Sequence, residues 1–322
     1  MKAKYLIKGI IRSIPGIKYV RDIREKTGGT CDARYCYSIW LRHLIYAYQN
    51  GFNVMPQKLA ELGPGDSLGI GISALISGVE QYYALDIVKY SNDEVNLKIF
   101  DDLVKLFQQK TPIPDDKEFP RVKPYLKNYD FPEHIFPEHY LRRILDKNRL
   151  LKIRNSIRSL ESSVIIKEDD MISYVVPWNE TSLIRLQSLD MIISQAVLQH
   201  IDNLSLTYKS MSNWLKPNGL LSHEIDFKSM GSSDTWYGHW EYSDLEWKII
   251  RGRKVFYINR EPYSTHIKLL NDNNFKIIFD LKTIAKTKIN SKNLAGRFKN
   301  STPEDLTISS TFIQATKEDS PI

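Results

Sequence analysis

The chain has 322 residues, 42% of them hydrophobic and 26% charged, which suits one large domain with a sizeable core and excludes a disordered chain. Its two cysteines, Cys31 and Cys36, are too few for a disulfide framework or a cysteine metal cage and read as packing residues. No run approaches the roughly eighteen apolar residues of a membrane helix, the N-terminus lacks a signal peptide's apolar region, and the net charge of +7 favours anionic partners, so the expectation is a cytoplasmic protein.

Residues 1–56 read as a mostly helical N-terminal cap of the kind that can cover a ligand. Lys2, Lys4, Lys8, Arg12, Lys18, Arg21, Arg24 and Lys26 alternate with Ile and Leu there, as in a basic amphipathic helix broken near Pro15. Such a helix is either a solvated face packed on the domain or a peripheral attachment to the inner face of an anionic membrane. Ser38 to Asn50 is the clearest helix of the cap, ended by Gly51.

From residue 57 to 322, strands expected near 58–62, 81–86, 171–176, 189–193 and 219–226 alternate with helices. That alternation is the signature of a parallel α/β sheet. An insertion at about 110–165 separates the second and third strands: Glu94 to Gln109 reads as a helix, 111–137 as a proline- and charge-rich segment, and Glu138 to Leu160 as a second, basic helix. Phe131-Pro132-Glu133-His134 recurs as Phe136-Pro137-Glu138-His139, but Pro137 keeps one helix from aligning the histidines and no third ligand is evident, so no metal is expected. Beyond Asp226 come a loop with Trp236, His239 and Trp240, a strand or hairpin around Val255 to Ile258, a helix capped by Ser264 or Thr265, and two last strands at Phe275 to Leu281 and Thr307 to Ala315, with 282–305 inserted between them.

Chemistry concentrates at the first strand-to-helix turn, Leu59-Ala60-Glu61-Leu62-Gly63-Pro64-Gly65-Asp66-Ser67-Leu68-Gly69. Gly63 and Gly65 permit a tight turn and a close backbone approach, as in doubly wound nucleotide folds. A dinucleotide would bring phosphate charge to a helix start flanked by Glu61 and Asp66, and its fingerprint wants Gly or Ala where this chain has Leu68. S-adenosylmethionine brings a sulfonium and an ammonium and no phosphate, so acidic groups attract it. Asp86, ending the second strand, is placed to accept both hydroxyls of a ribose.

These segments resemble the class I S-adenosylmethionine-dependent methyltransferases from about Leu59 to Phe227. Glu61, Gly63 and Gly65 match the family's first motif and Asp86 its ribose-binding acid. Ser188 to Ser194 resembles its fourth strand, followed by Gln195-Ala196-Val197-Leu198-Gln199-His200-Ile201, and Trp214-Leu215-Lys216-Pro217-Asn218-Gly219 resembles its turn into the fifth. The resemblance implies a Rossmann-like, mostly parallel seven-stranded sheet with an antiparallel last strand, and a cofactor site of Glu61, Gly63, Pro64, Gly65, Asp66, Ser67, Asp86, Ser194 and Gln195. The family's adenine-side acid has no match between Met171 and Trp178, where Pro177-Trp178 offers an apolar wall or a core residue. More narrowly, Thr27-Gly28-Gly29-Thr30, Ala33 to Leu44 and Ser222 to Phe227 are similar to bacterial methyltransferases of surface-polysaccharide biosynthesis, implying a sugar or glycan hydroxyl as acceptor.

Methyl transfer to an alcohol benefits from a general base. Ligands of open α/β sheets bind beyond the carboxyl ends of the strands, which nominates His200, His223, Asp226 and His239. Strand alternation puts His223 and Asp226 on opposite faces if the strand stays regular through both. Trp236, Tyr237, Trp240, Tyr242 and Trp247 are read either as a sugar-stacking surface or as core, with Arg251, Arg253 and Arg260 available to an acceptor phosphate or carboxylate. The alternatives are a nucleic-acid methyltransferase or cofactor-binding scaffold, which would need a separate nucleic-acid domain or an Asn-Pro-Pro-Tyr run that this chain lacks, and an NAD-dependent oxidoreductase, which the acidic turn and Leu68 disfavour.

Overall fold

The computed structural model describes residues 2–14, 29–160, 162–163, 169–178, 182, 184–254, 256–287 and 289–318. Its centre is one sheet whose strands are β1 (Lys58–Leu62), β2 (Gln81–Leu85), β3 (Ser162–Ser163), β4 (Ile172–Val175), β5 (Leu189–Gln195), β6 (Leu215–Asp226), β7 (Phe275–Ile284) and β8 (Ile308–Lys317). They lie in the order β3-β4-β2-β1-β5-β6-β8-β7. All neighbouring pairs from β3 to β6 are parallel, and β8 runs antiparallel to both β6 and β7. This is the expected doubly wound, Rossmann-like sheet of seven principal strands with an antiparallel last strand, extended by the two-residue edge strand β3.

Both faces of the sheet are covered, so its central strands read as continuous apolar runs rather than alternations. The helices α2 (Ala33–Gln49), α3 (Gly69–Ser77), α4 (Asp93–Gln108), α5 (Glu138–Ile144) and α6 (Lys147–Arg158) share one core with Leu59, Tyr82, Ile172, Met191, Ile193 and Leu220. On the opposite face α7 (Leu204–Trp214) and α9 (Tyr263–Asp272) bury Leu62, Leu85, Ile192, Leu221, Ile225 and Ile313. A smaller cluster joins α1 (Lys2–Ser13) to α8 (Asp244–Arg251) through Tyr5, Trp247 and Ile250. No described helix is long and apolar enough to cross a membrane.

Several elements depart from the sequence expectation, each for a local reason. The expected basic helix over 138–160 is two helices, because the Asp146 carboxylate accepts from the amides of Asn148 and Arg149 and starts α6 anew. No strand forms over residues 256–258, and Val255 lies outside the described residues. Just before that stretch lies the unexpected α8, which starts behind Ser243 with Ser243 and Glu246 forming a reciprocal capping box. Neither Ser264 nor Thr265 caps α9, which starts behind Pro262, and Ser264 bonds Asp305 through both its amide and its hydroxyl. The Phe-Pro-Glu-His repeat is a packing device: Phe131 and Phe136 are buried 5.6 Å apart, while Glu133 and Glu138 both reach Lys110 at 3.2 Å. Cys36 packs in the core as expected, but Cys31 is exposed. Of the basic N-terminal segment, residues 15–28 lie outside the described ones, as do residues 319–322.

Candidate functional site

The connection after β1 runs to one side of the sheet and that after β5 to the other, so the crevice between their carboxyl ends is the topological switch point where such sheets bind ligands. The turn after β1 lines it. Gly63 (φ +63°) and Gly65 (φ +77°) are both left-handed, and the Gly63 amide donates to Leu85 O at 2.8 Å. A Cβ on Gly63 would lie 2.7 Å from the Val197 side chain, so the loops after β1 and β5 meet backbone to side chain. Ala196 is itself left-handed (φ +55°) and donates to Glu224 O at 3.0 Å.

The start of α3 is closed to phosphate by the protein itself. Ser67 Oγ accepts from the Gly69 amide (3.0 Å), Asn96 Oδ1 from the Leu68 amide (2.9 Å), and Glu61 from the Gly71 amide. Thr30 holds Ser67 in turn, accepting from its hydroxyl and its amide, so the N-terminal cap does seat on this turn. With those amides filled by side chains, a pyrophosphate loses the helix-start donors it would need.

The same geometry gives Glu61 a structural role. Its Oε2 accepts from Tyr82 Oη at 2.6 Å, the residue is only 2% exposed, and burial pushes its carboxyl up to about 8. Glu61 therefore ties β1, β2 and α3 together. Asp86 is the carboxylate that stands at the crevice. Its Oδ1 accepts from the Ile87 amide (2.7 Å) and its Oδ2 from the Gly65 amide (3.4 Å), with burial raising its pKa. Trp178 donates its amide to Asp86 O at 2.9 Å but turns its ring onto Trp214, in the core of the opposite face.

Strand β6 stays regular through Asp226, pairing with β8 as far as Asp226↔Ser310, so alternation separates the residues nominated on it. His223 points into the core beneath α9. It is fully buried, its Nδ1 lies 2.8 Å from Ser194 Oγ, and burial pushes it down to about 3. His223 and Ser194 therefore bond each other inside the sheet's α9-side core, both 0% exposed. His239 is 2% exposed, packed against the Trp240 ring at 4.8 Å beside Arg260, and pushed down to about 3. It is a neutral core residue. His200 remains at the mouth, its pKa lowered by burial against the opposing pull of Asp226. Asp226 is engaged by the Lys228 amide and Nζ, both at 2.8 Å.

Alternation puts Glu224, which the sequence reading passed over, on the same face as Asp226. It is the Cα partner of Gln195 in the β5–β6 register and is 6% exposed. Its carboxyl has no hydrogen-bond partner among the described residues, and burial, then the nearby Asp226, pushes it up to about 8 against the pull of Lys228 and Lys123. Tyr35, on α2, lies in electrostatic range of both Glu224 and Glu61 and packs edge-on against Phe119 at 5.6 Å. Its phenol pKa is raised by burial.

Gln195 is held by a second residue absent from the sequence expectation, His43. His43 Nε2 lies 3.1 Å from Gln195 Oε1 and its Nδ1 2.7 Å from Ser222 Oγ; Gln195 Nε2 donates to Lys123 O at 3.0 Å, and Gln314 Nε2 donates to Ser222 Oγ at 3.0 Å. Burial pushes His43 down to about 4, so the chain of bonds runs through a neutral ring. The β1 turn, Asp86, Gln195 to Val197 and Glu224 thus gather at the carboxyl ends of the strands, with Tyr35 and Lys123 in electrostatic range of Glu224.

Four of the five aromatics after β6 are core, Trp240, Tyr242, Trp247 and Tyr237 being 1%, 2%, 7% and 9% exposed, while Trp236 is half-buried. Arg260 is buried among them, bonded to Tyr242 O at 2.8 Å and to Asp244, and Arg251 bridges Asp202 at 2.6 Å. A separate cavity of about 250 Å³, lined by Phe52, Met55, Lys216 and Asn218, lies at the opposite, amino ends of the strands, where Lys216 already pairs with Asp190 at 2.6 Å.

No protein-family model matches the chain, and no curated protein matches it. Among solved structures it is similar to a SAM-dependent methyltransferase from Methanosarcina mazei, at 15% identity over 86% of this chain and 98% of that one with a TM-score of 0.44. It is similar also to the YcgJ protein from Bacillus subtilis (10% identity, 86% and 99% covered, TM-score 0.42) and to the [4+2]-cyclase SpnF (9% identity, 86% and 80% covered, TM-score 0.41). Likeness at this level leaves the reaction to be argued from the chain's own residues.

Proposed function

We propose that this chain is an S-adenosylmethionine-dependent methyltransferase acting on an acceptor hydroxyl, with Glu224 as general base. The observation that carries the reading is the closed start of α3. A nucleotide cofactor at this switch point finds Asp86 for a ribose, while side chains already take the Leu68, Gly69 and Gly71 amides at the start of α3, which fits an adenosyl group that carries no phosphate. Asp86 would hold the ribose hydroxyls, the Gly63–Gly65 backbone would lie against the amino-acid portion, and Gln195 and Ala196 would border the adenosyl group from β5. When bound, S-adenosylmethionine would supply an electrophilic methyl group on a sulfonium.

The chain's own part is positioning and proton transfer. Glu224, ionised, accepts the proton as the acceptor oxygen attacks. A buried carboxylate without a competing hydrogen bond is a stronger base than an exposed one, and Lys123 and Lys228 steady its charge. His43, through Gln195, fixes one wall without exchanging protons at neutral pH. The acceptor class remains the sugar or glycan hydroxyl that the sequence resemblance implies, held by groups other than the buried tryptophans. The test is label transfer from methyl-labelled S-adenosylmethionine to nucleotide sugars, lipid-linked glycans and polysaccharide ends. Transfer to a hydroxyl that falls by roughly 10²-fold or more in Glu224→Gln supports the proposal; full turnover in that variant overturns the role of Glu224.

A further inference from the structure

Helix α1 is docked on the domain by one face. Its Gly9 packs so closely on α8 that a Cβ there would fall 2.1 Å from Ile249 O, Tyr5 is 8% exposed with its hydroxyl donating to Asp234 Oδ1 at 2.7 Å, and Lys2 Nζ donates to Glu241 O at 2.7 Å. The opposite face would ordinarily be polar. Here it carries Ile7, Ile10 and Ile11, with Ile14 just past the helix end, and these are 56%, 54%, 41% and 45% exposed. The i, i+3 and i+4 spacing of the first three sets them in one stripe on a helix. Lys8, exposed, flanks the stripe on one side beside Lys4, whose ammonium is paired with Asp234 at 3.3 Å and would have to exchange that partner for a headgroup.

From this juxtaposition we infer that the outer face of α1 seats in the headgroup region of an anionic bilayer. Three isoleucines on the solvent side of a helix already fixed by its inner face, and a fourth just past its end, bring nothing to the core, and a contiguous exposed apolar stripe marks a contact surface. Lysines beside such a stripe match interfacial helices, which bury the apolar face while the ammonium groups meet anionic headgroups. The formal charge of +7 attracts the whole chain to such a surface. The same charge opposes the competing occupant, a second copy of this chain, which would bring the flanking lysines of two like-charged molecules together.

The experiment is co-sedimentation of the full chain with phosphatidylcholine vesicles and with mixed phosphatidylcholine–phosphatidylglycerol vesicles, for the natural sequence and for Ile7→Ser/Ile10→Ser/Ile11→Ser. Circular dichroism verifies the fold, and sedimentation velocity reports the oligomeric state. The expected result is binding to the mixed vesicles that weakens with salt and falls roughly tenfold or more in the triple variant. Three results overturn the inference: no preference for the anionic vesicles, equal binding by the variant, or a dimer of the natural chain that the variant abolishes. None of these readouts requires methyl transfer, so this inference and the proposed activity fail separately.

Discussion

Replacing Glu224 by glutamine should change how stability depends on pH. The carboxyl is 6% exposed, and burial with Asp226 nearby, opposed by Lys228 and Lys123, raises its pKa from 4.5 to about 8 in the folded chain. Between those values the folded state holds a proton that the unfolded state has released, so this group makes stability fall as pH rises. At about 1.4 kcal/mol per pH unit, the loss approaches roughly 5 kcal/mol as an upper limit. Glutamine has nearly the same shape and no proton to lose. Urea unfolding of both proteins from pH 5 to pH 9 should therefore give a natural chain that weakens relative to Glu224→Gln as pH rises. Glu61 titrates in both and cancels in the difference. Parallel profiles would refute the reasoning, because they would mean that Glu224 is solvated and cannot serve as a tuned base.

Other substitutions separate packing from chemistry. Gly63→Ala should destabilise by about 1–3 kcal/mol, from the left-handed backbone and the overlap with Val197, and should weaken cofactor binding, as read by thermal melts with and without S-adenosylhomocysteine. His223→Ala should cost roughly 2–4 kcal/mol of stability through the buried cavity and the stranded Ser194 hydroxyl, yet keep turnover per folded molecule within about twofold, since it reaches no reacting atom. Tyr82→Phe removes the donor to Glu61 Oε2 and should cost about 1–3 kcal/mol. The loss in Tyr82→Phe should be larger at pH 9 than at pH 6, where Glu61 is protonated; equal losses at both would contradict the burial of that carboxyl.

The sheet was legible because each buried parallel strand is a short apolar run ended by a turn or an acid, and Glu61, Gly63, Gly65 and Asp86 mark two of those ends. That the last strand runs antiparallel was implied by the family resemblance rather than by the residues of β8. Alternation along β6 was legible too, and it put the nominated Asp226 on one face and His223 on the other, but it left Glu224 unnoticed. Histidine chemistry drew attention to His223, whereas Glu224 carries no signal until Gln195 is known to lie beside it. His43 was hidden for the same reason, since its partners Ser222 and Gln195 are 179 and 152 residues away. The capping pair Ser243 and Glu246 and the start signal at Asp146 were present in the sequence and could have revealed α8 and the break before α6.

Isothermal calorimetry of the full chain with S-adenosylhomocysteine and with NAD asks most directly whether the switch point takes a phosphate-free adenosyl cofactor. The expected result is saturable binding of S-adenosylhomocysteine that weakens about tenfold or more in Asp86→Ala, through the lost charged hydrogen bonds to ribose, with no binding of NAD. Binding of NAD alone, or of S-adenosylhomocysteine with no effect of Asp86→Ala, would contradict it.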